Sequence, residues 1–564
     1  MKAVDFLGAL AVCALLTISA DRAMAATGDA VAESIEPMVE SALSSHRVAG
    51  IELPDTARFA TVIRALYARR GGAPLWFTQA GLTANGRELL ERIRFADQYG
   101  LRSGDYRAND IIYRAFSLAG SNADPAEWQA LDVALTFTAA RFLTHLHAGR
   151  IDPRTVGHDL IVPHASLDLA TALAALAGTT DIPNVLADYE PGFRHYELLR
   201  RALLRYRELA QQPELNELPT LPTRSVRQGD TYAGMNRLRA LLLALGDWPE
   251  SETTATVDSL DATTVNALKR FQARHGLDAD GALGPGTFMA LTTPFARRVQ
   301  QIEFALERAR WLPSRLDSPP IIVNIPQFKL FAFRTLEDSE SDMLHMNVVV
   351  GKIFPQNNTP VFAADLRYVV IRPYWDVRRS ILNNELLPSI RRNPDWFVRN
   401  RFEIVQGQSD TSPVLAPTPE NIEALASGAA RLRQRPGADN SLGNFKFLFP
   451  NVYNVYLHDT PTRGTFARAQ RAASHGCVRI EDPRALADQL LANEAGWQDA
   501  AARAAQIDAA LARSTPTRIT LQRPVRVFLI YATALALEDG RVLFFDDIYG
   551  HDARLASALA ATVH

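Results

Sequence analysis

The spacing of apolar positions divides the chain into a helical first part and a strand-rich last part. From residue 56 to 210, apolar residues recur every three or four positions, which is typical of amphipathic helices. From Pro319 onwards, short segments rich in β-branched and aromatic residues predict strands, and residues 321–325 and 329–333 predict a hairpin. The pattern therefore predicts a multidomain α+β protein.

Smaller segments separate and interrupt these two parts. The polar, Pro-rich residues 211–223 predict a linker. Two apolar stripes in residues 224–293 predict a small three-helix unit. The β-rich region covers residues 319–533, and a helical, Arg-rich stretch at residues 380–435 predicts an insertion placed to cover a functional site. Residues 534–564 are expected to form a C-terminal tail.

The first residues have the pattern of a targeting segment. A basic residue precedes an apolar run at residues 6–20, and Ala23 and Ala25 are small residues at the positions that a signal peptidase reads. We expect residues 1–25 to be a cleaved signal peptide and residues 26–55 to be a flexible leader. Membrane anchoring is expected only if the signal is not cleaved, because the run is shorter than the roughly 20 residues of a membrane-spanning helix.

Charge and cysteine content narrow the functional class. The formal net charge is −2 without a concentrated basic segment, which argues against a nucleic-acid partner. Cys13 lies in the predicted signal, so the mature chain would keep Cys477 alone and could form no internal disulfide. A lone cysteine next to His475 and Gly476 in an exported protein favours a reactive nucleophile, with a buried inert thiol as the alternative. No residues have the spacing of a zinc site, so we expect no metal.

One motif combines residues that suit acyl transfer. His458 and Asp459 are followed about fifteen residues later by the sequence Ser-His-Gly-Cys at residues 474–477. A thiolate attacks an acyl carbon well, and an imidazole can accept the thiol proton and return it to a leaving amine. Gly476 allows close approach of the backbone, and the amides of Gly476 and Cys477 could face a developing oxyanion, a contribution of about 3–4 kcal/mol per donor.

These residues resemble the catalytic motif of the L,D-transpeptidases of the YkuD type. The resemblance extends to the large YcbB-like branch of that family and implies three domains. They are a helical scaffold at residues 56–210, a three-helix peptidoglycan-binding domain at residues 224–293, and a β-rich catalytic domain at residues 319–533 with a helical insertion. The segments that carry the wider resemblance are residues 326–330, 350–352, 359–362, 373–377, 442–443, 446–450 and 546–550.

The resemblance implies a role for each residue of the motif. Cys477 is expected to be the nucleophile and His458 the general base. The backbone carbonyl of Asp459 is expected to orient the imidazole. His475 is expected either to support the thiolate or to be structural.

Three other residues are candidates for substrate binding. Arg479 could hold a substrate carboxylate, and a structural salt bridge is an equally good interpretation. Tyr374 and Trp375 could line a substrate groove, although aromatic residues on a strand more often belong to a core.

The reaction implied by the resemblance is the cross-linking of peptidoglycan. The thiolate would attack the third residue of a tetrapeptide stem, release the terminal D-alanine and form a thioester, which the amine of another stem would resolve into a 3→3 cross-link. The implied partners are stem peptides and glycan, the implied location is the periplasm, and the implied inhibitors are carbapenems. No metal or organic cofactor is implied. The alternatives are an L,D-carboxypeptidase, in which water resolves the thioester, and a non-catalytic wall-binding scaffold.

Overall fold

A computed structural model describes residues 35–119, 123–160, 167–248, 258–339, 341–354, 357–393 and 395–561. The predicted signal peptide at residues 1–25 lies outside the described residues. The chain divides into two compact units. The first comprises the described parts of Met1–Arg150 and His164–Gly192, and the second those of Ile151–Pro163 and Phe193–Thr562.

The first unit is helical, and its apolar stripes face a common core. The central helix Pro125–Ala148 is buried on nearly all sides and begins at an Asp124 cap. No helix of the described residues, this one included, is long and apolar enough to cross a membrane. The helices of the unit are Glu36–Ser45, Thr56–Arg69, Ala84–Arg94, Ala108–Leu118, Pro125–Ala148, Leu169–Gly178 and Ile182–Ala187. Its short strand pairs are Arg47–Val48 with Ile51–Glu52 and Phe77–Thr78 with Gly81–Leu82.

The expectation of a flexible leader at residues 26–55 is wrong for its described part. Ile35 and Ala42 are fully buried, and Val39 is nearly so, in the core of the first unit. Their spacing of four and three residues places them on one face of the helix Glu36–Ser45. The segment is short and polar elsewhere, so its apolar face carried too little signal to be recognised in the sequence.

A second helical core lies in the second unit. The three predicted helices of residues 224–293 are present as Met235–Ala244, Ala262–Arg274 and Pro285–Thr292. They share one core with the helices Arg194–Leu209 and Phe295–Ala309 and with the hairpin of Ala534–Ala536 and Val542–Phe544.

The shared core changes three expectations about segment boundaries. The helix Arg194–Leu209 was expected in the scaffold, yet it packs in the second unit. Residues 211–223 are packed rather than a free linker, since Leu218 is buried and Asn216 donates to the carbonyl of Thr293. Residues 534–561 are not a tail, because the hairpin joins this core and the helix His551–Ala561 buries Leu555 against the sheet described next.

The described residues of the second unit also form one ten-stranded sheet. In chain order its strands β1 to β10 are His158–Asp159, Ile321–Asn324, Lys329–Ala332, Leu344–Gly351, Val361–Ile371, Phe445–Leu448, Leu457–His458, Ala472–Ser474, Val478–Ile480 and Thr517–Ile530. Pairing runs in the order β6-β7-β9-β4-β3-β2-β10-β5 and returns from β5 to β6, so the sheet closes on itself, while β1 pairs with β5 and β8 with β4. Apolar side chains of the strands form one core with those of the helices Pro483–Leu491 and Ala500–Leu511.

The insertion at residues 380–435 is not helical throughout. It contains helices, but three of its segments form, together with Trp375–Asp376, a separate four-stranded sheet. These strands have four residues or fewer, so their alternation of apolar and polar side chains is too short to be recognised in the sequence. The helical segments are Arg379–Ile381, Leu382–Leu386, Leu387–Arg392, Trp396–Asn400 and Pro419–Ser427, and the strands are Phe402–Val405, Val414–Leu415 and Arg431–Gln434.

Candidate active site

Two adjacent parallel strands, β7 and β9, bring the predicted motif together. Leu457 pairs with Val478, and both side chains are fully buried in the core of the sheet. Successive side chains of a strand point to opposite faces, so the neighbours of this pair share the other face. That face carries Tyr456, His458, Cys477 and Arg479.

The turn before Cys477 is held by hydroxyl groups. The Ser474 hydroxyl accepts from the Gly476 amide at 3.1 Å and donates to the Cys477 carbonyl at 2.5 Å. The Thr359 hydroxyl donates to the Gly476 carbonyl at 2.9 Å. Gly476 has φ +107°, a conformation that favours glycine. The amides of Gly476 and Cys477 were both candidates to face an oxyanion. Because the Gly476 amide donates to Ser474, only the Cys477 amide is left for that role.

The thiol of Cys477 is partly exposed and has three polar neighbours. Its Sγ lies 3.4 Å from Nη2 of Arg378 and 3.7 Å from the carbonyl oxygen of Asn454. The third neighbour is Tyr456. Burial raises the pKa of Tyr456 well above its usual range, and the charge of Cys477 and a hydrogen bond with it act in the same direction. The phenol therefore keeps its proton beside the sulfur.

His458 is buried and held in one tautomer. Its Nδ1 lies 2.5 Å from the carbonyl oxygen of Asp459. A carbonyl can only accept, so Nδ1 carries the proton and Nε2 has a free lone pair. Burial, helped by the charges of Arg479 and Lys446 and opposed by the hydrogen bond to Asp459, lowers the pKa of His458 to about 3. The imidazole is therefore neutral at pH 7 and able to accept a proton.

The side chain of Asp459 fixes the carbonyl that holds His458. Its two oxygens accept from the amides of Asn444, at 2.8 Å, and Thr460, at 2.7 Å. Gly443 makes room for this carboxylate, because a Cβ there would lie 2.3 Å from the Asp459 Oδ2 and its φ is +59°. The sequence motif indicated the carbonyl contact, whereas the anchoring of the side chain needed the fold.

His475 points away from the sulfur contacts just described and towards the insertion. Its Nε2 lies 2.7 Å from a carboxylate oxygen of Glu385, in the segment Leu382–Leu386.

Arg479 lies on the same face as His458, and its Nε is buried without a hydrogen-bond partner among the described residues. Burial lowers the pKa of Arg479, and the nearby Cys477 opposes that effect. No carboxylate salt bridge to Arg479 is present among the described residues.

Tyr374 and Trp375 lie against the insertion. The guanidinium of Arg433 lies over the Tyr374 ring, 4.0 Å from its centroid. The Trp375 ring packs on Phe402, with centroids 5.9 Å apart, as part of the small core of the insertion. Neither contact places these aromatic side chains at the sulfur of Cys477.

Sequence reasoning missed several residues of this face. Tyr456 could have been found, because it lies two positions before His458 on a strand and so shares its face. Lys446 is opposite His458 in the antiparallel pair of β6 and β7, and its Nζ lies 4.2 Å from the centroid of the Tyr456 ring. Arg378 and Asn454 come from loops, and no periodic signal marks them.

Nowhere in the described ranges do three or more His, Cys, Asp or Glu residues cluster as a metal site would require.

The buried histidines of the second unit predict a loss of stability in mild acid. Each has a pKa lowered chiefly by burial, so the unfolded chain binds protons that the folded chain excludes, and the free energy of unfolding falls as pH decreases from about 6.5. For His458, with a pKa of about 3, we expect about 2 kcal/mol to be lost between pH 7 and pH 5. The histidines are His158, His275, His458 and His551.

Urea unfolding at pH 7 and pH 5 measures this loss. His458→Gln keeps a side-chain amide that can donate to the Asp459 carbonyl, but it does not titrate. The difference in unfolding free energy between the two pH values should therefore shrink by about 2 kcal/mol in this variant. Equal stability of the unmodified protein at both pH values would contradict the prediction.

Comparisons with known proteins agree with the organisation of the chain. A family model described as "L,D-transpeptidase catalytic domain" matches residues 319–519. Models described as "Scaffold domain" and "Putative peptidoglycan binding domain" match residues 61–203 and 232–291. These ranges cover the sheet with its insertion, the helical first part and the three-helix unit.

A curated relative supports the same assignment for part of the chain. The protein named "Putative L,D-transpeptidase" from Haemophilus influenzae is 34% identical over 258 residues, which cover 45% of this chain and 49% of the relative. The match thus spans about half the length of the curated relative.

Proposed function

We propose that this protein, whose residues 319–519 match the model of an L,D-transpeptidase catalytic domain, cross-links peptidoglycan stem peptides through a thioester on Cys477. The observation that carries the proposal is the shared face at β7 and β9: a neutral, oriented imidazole lies on β7, and a partly exposed thiol lies at the residue that directly precedes β9. A soft nucleophile beside a neutral base is the arrangement that acyl transfer needs.

In the first half-reaction, the imidazole of His458 takes the thiol proton at Nε2 as the sulfur of Cys477 attacks the carbonyl carbon of the third stem residue. The N–H of Cys477 is the amide of the motif left to face the oxyanion, since that of Gly476 is bound to Ser474. Collapse of the tetrahedral intermediate breaks the peptide bond, and the imidazolium gives its proton to the leaving amine of D-alanine. The products are a thioester and free D-alanine.

In the second half-reaction, the side-chain amine of another stem attacks the thioester. His458 accepts a proton from that amine, the carbon–sulfur bond breaks, and the thiol is restored when the sulfur takes the proton back. Burial and the charges of Arg479 and Lys446 disfavour an imidazolium, so the proton is held only briefly and passed on. Both half-reactions use the same base and need no cofactor in this scheme.

The remaining domains support peptidoglycan as the partner. The match of residues 232–291 to a peptidoglycan-binding model favours glycan binding next to the catalytic domain, and it favours a location outside the cytoplasm, which we propose to be the periplasm. The three-helix unit shares its core with the hairpin Ala534–Ala536 and Val542–Phe544. A glycan bound there would be held at a fixed position, which raises the local concentration of stems.

The product formed from a purified disaccharide-tetrapeptide tests the proposal. We expect a dimer whose mass equals two monomers less one D-alanine, with fragmentation that places the bond between the two third residues. Release of D-alanine with a tripeptide product alone would instead establish an L,D-carboxypeptidase, in which water resolves the thioester. Absence of both products, from protein whose thiol still reacts with iodoacetamide, would refute the acyl-enzyme.

A further inference from the structure

Arg378 stands at the nucleophile although no part of the sequence motif includes it. It directly precedes the helical segment Arg379–Ile381 at the start of the insertion. Its Nη2 lies 3.4 Å from Sγ of Cys477 and also donates to the carbonyl oxygens of Tyr453, at 3.3 Å, and of Asn454. The two N–H groups of Nη2 are shared among these three acceptors, and together the contacts hold the guanidinium beside the sulfur.

The other donors of the same guanidinium remain available. Nη1 and Nε of Arg378 form no hydrogen bond to any residue in the described ranges, and no described carboxylate pairs with the side chain. Nη1 lies on the side of Gly476, since a Cβ added to Gly476 would be 3.9 Å from it. A fixed cation thus presents unused N–H groups to the space above the turn that carries Cys477. Such a group is suited to bind a carboxylate.

The donor substrate places a carboxylate close to the bond that breaks. In a tetrapeptide stem, the terminal D-alanine follows the scissile carbonyl, and its carboxylate carbon is bonded to the Cα next to the scissile nitrogen. We infer that Arg378 binds this terminal carboxylate and thereby selects stems that end one residue after the attacked carbonyl. This inference rests on the proposed function. A longer stem would present an uncharged amide at the same position.

The other cations near the site are less suited to this role. The ammonium of Lys446 lies over the Tyr456 ring, and burial lowers its pKa. The guanidinium of Arg479 is mostly buried, and its strand places it level with His458 instead of at the sulfur. Only the Arg378 guanidinium, among these three, has a hydrogen-bonding contact with Sγ.

Ligand binding in the Cys477→Ala background isolates this role from the chemistry. Two ligands are compared by calorimetry, a disaccharide-tetrapeptide with a free terminal carboxylate and the same compound with a terminal carboxamide. A hydrogen-bonded charge pair predicts that the carboxylate binds at least about tenfold more tightly. Adding Arg378→Ala should remove this preference, and Arg378→Lys should retain part of it.

Arg392→Ala in the same background is the matched control. Arg392 is an arginine of the insertion whose side-chain hydrogen bonds to described residues stay within its own helix, at the carbonyl of Pro388 and the hydroxyl of Ser389. It should leave the preference unchanged. With Cys477 intact, Arg378→Ala should raise KM for the carboxylate donor and leave KM for the carboxamide donor unchanged.

Three results would overturn the inference: no preference in the Cys477→Ala protein, a preference that survives Arg378→Ala, or an equal loss of affinity for both ligands. If Arg378→Ala does not fold, the comparison of the two ligands on the parent and on Arg378→Lys decides the matter. Failure of the proposed function would appear separately, as absence of cross-linking and of D-alanine release by the unsubstituted protein while the Arg378-dependent preference persists.

Discussion

Cys477→Ala is expected to reduce cross-linking and D-alanine release to the level of a reaction without protein. The alanine side chain cannot form a thioester, and among the described residues no other cysteine could replace the nucleophile. Loss of a base or of an oxyanion donor leaves a slower version of the same reaction. Loss of the nucleophile removes the covalent step itself. Mass analysis of the products measures the effect.

The fold should tolerate this substitution, which separates chemistry from stability. The side chain is partly exposed, and the hydrogen bonds that hold its turn use the Ser474 hydroxyl and the backbone rather than Sγ. The unfolding free energy should therefore change by no more than about 0.5 kcal/mol, as for other exposed sites. A carbapenem should add a single mass increment to the parent protein and none to the variant. Dimer formation by the variant at the parent rate would exclude Cys477 as the nucleophile.

The features that could be predicted from the sequence are those with local or periodic signals. The three helices of residues 224–293 and the hairpin at residues 321–325 and 329–333 follow from the spacing and type of apolar side chains. The contact between His458 and the carbonyl of Asp459 followed from the family resemblance, because the two residues are adjacent in the chain. Such features need no knowledge of how distant segments meet.

The features that could not be predicted depend on contacts between distant segments. Arg378 reaches the sulfur across about a hundred residues of chain, and Glu385 reaches His475 from the insertion. The helix Glu36–Ser45 and the hairpin near residue 540 are too short to be recognised without the cores that they complete. Strand β1, at His158–Asp159, joins the ten-stranded sheet from within a stretch whose sequence pattern is otherwise typical of helices. In each case tertiary packing decides the structure, and the local pattern carries little information.

The identity of the general base gives the second large expected effect. His458→Ala should lower kcat by about 10² to 10⁴, the range for loss of a positioned acid–base group. His475→Ala should lower it much less, because its Nε2 is paired with Glu385 and no bond links it to the sulfur. The two variants remove the same side chain from the same domain, so each controls for the other.

The matched comparison also tests the physical reason for the assignment. Glu385→Gln removes the negative partner of His475 while leaving the His458–Asp459 contact intact, so it should behave like His475→Ala. Single-turnover formation of the thioester, followed by intact-protein mass measurement, reports the first half-reaction directly. If His475→Ala slowed this step more than His458→Ala, the base would be His475, and the neutral imidazole held by the Asp459 carbonyl would have only a structural role.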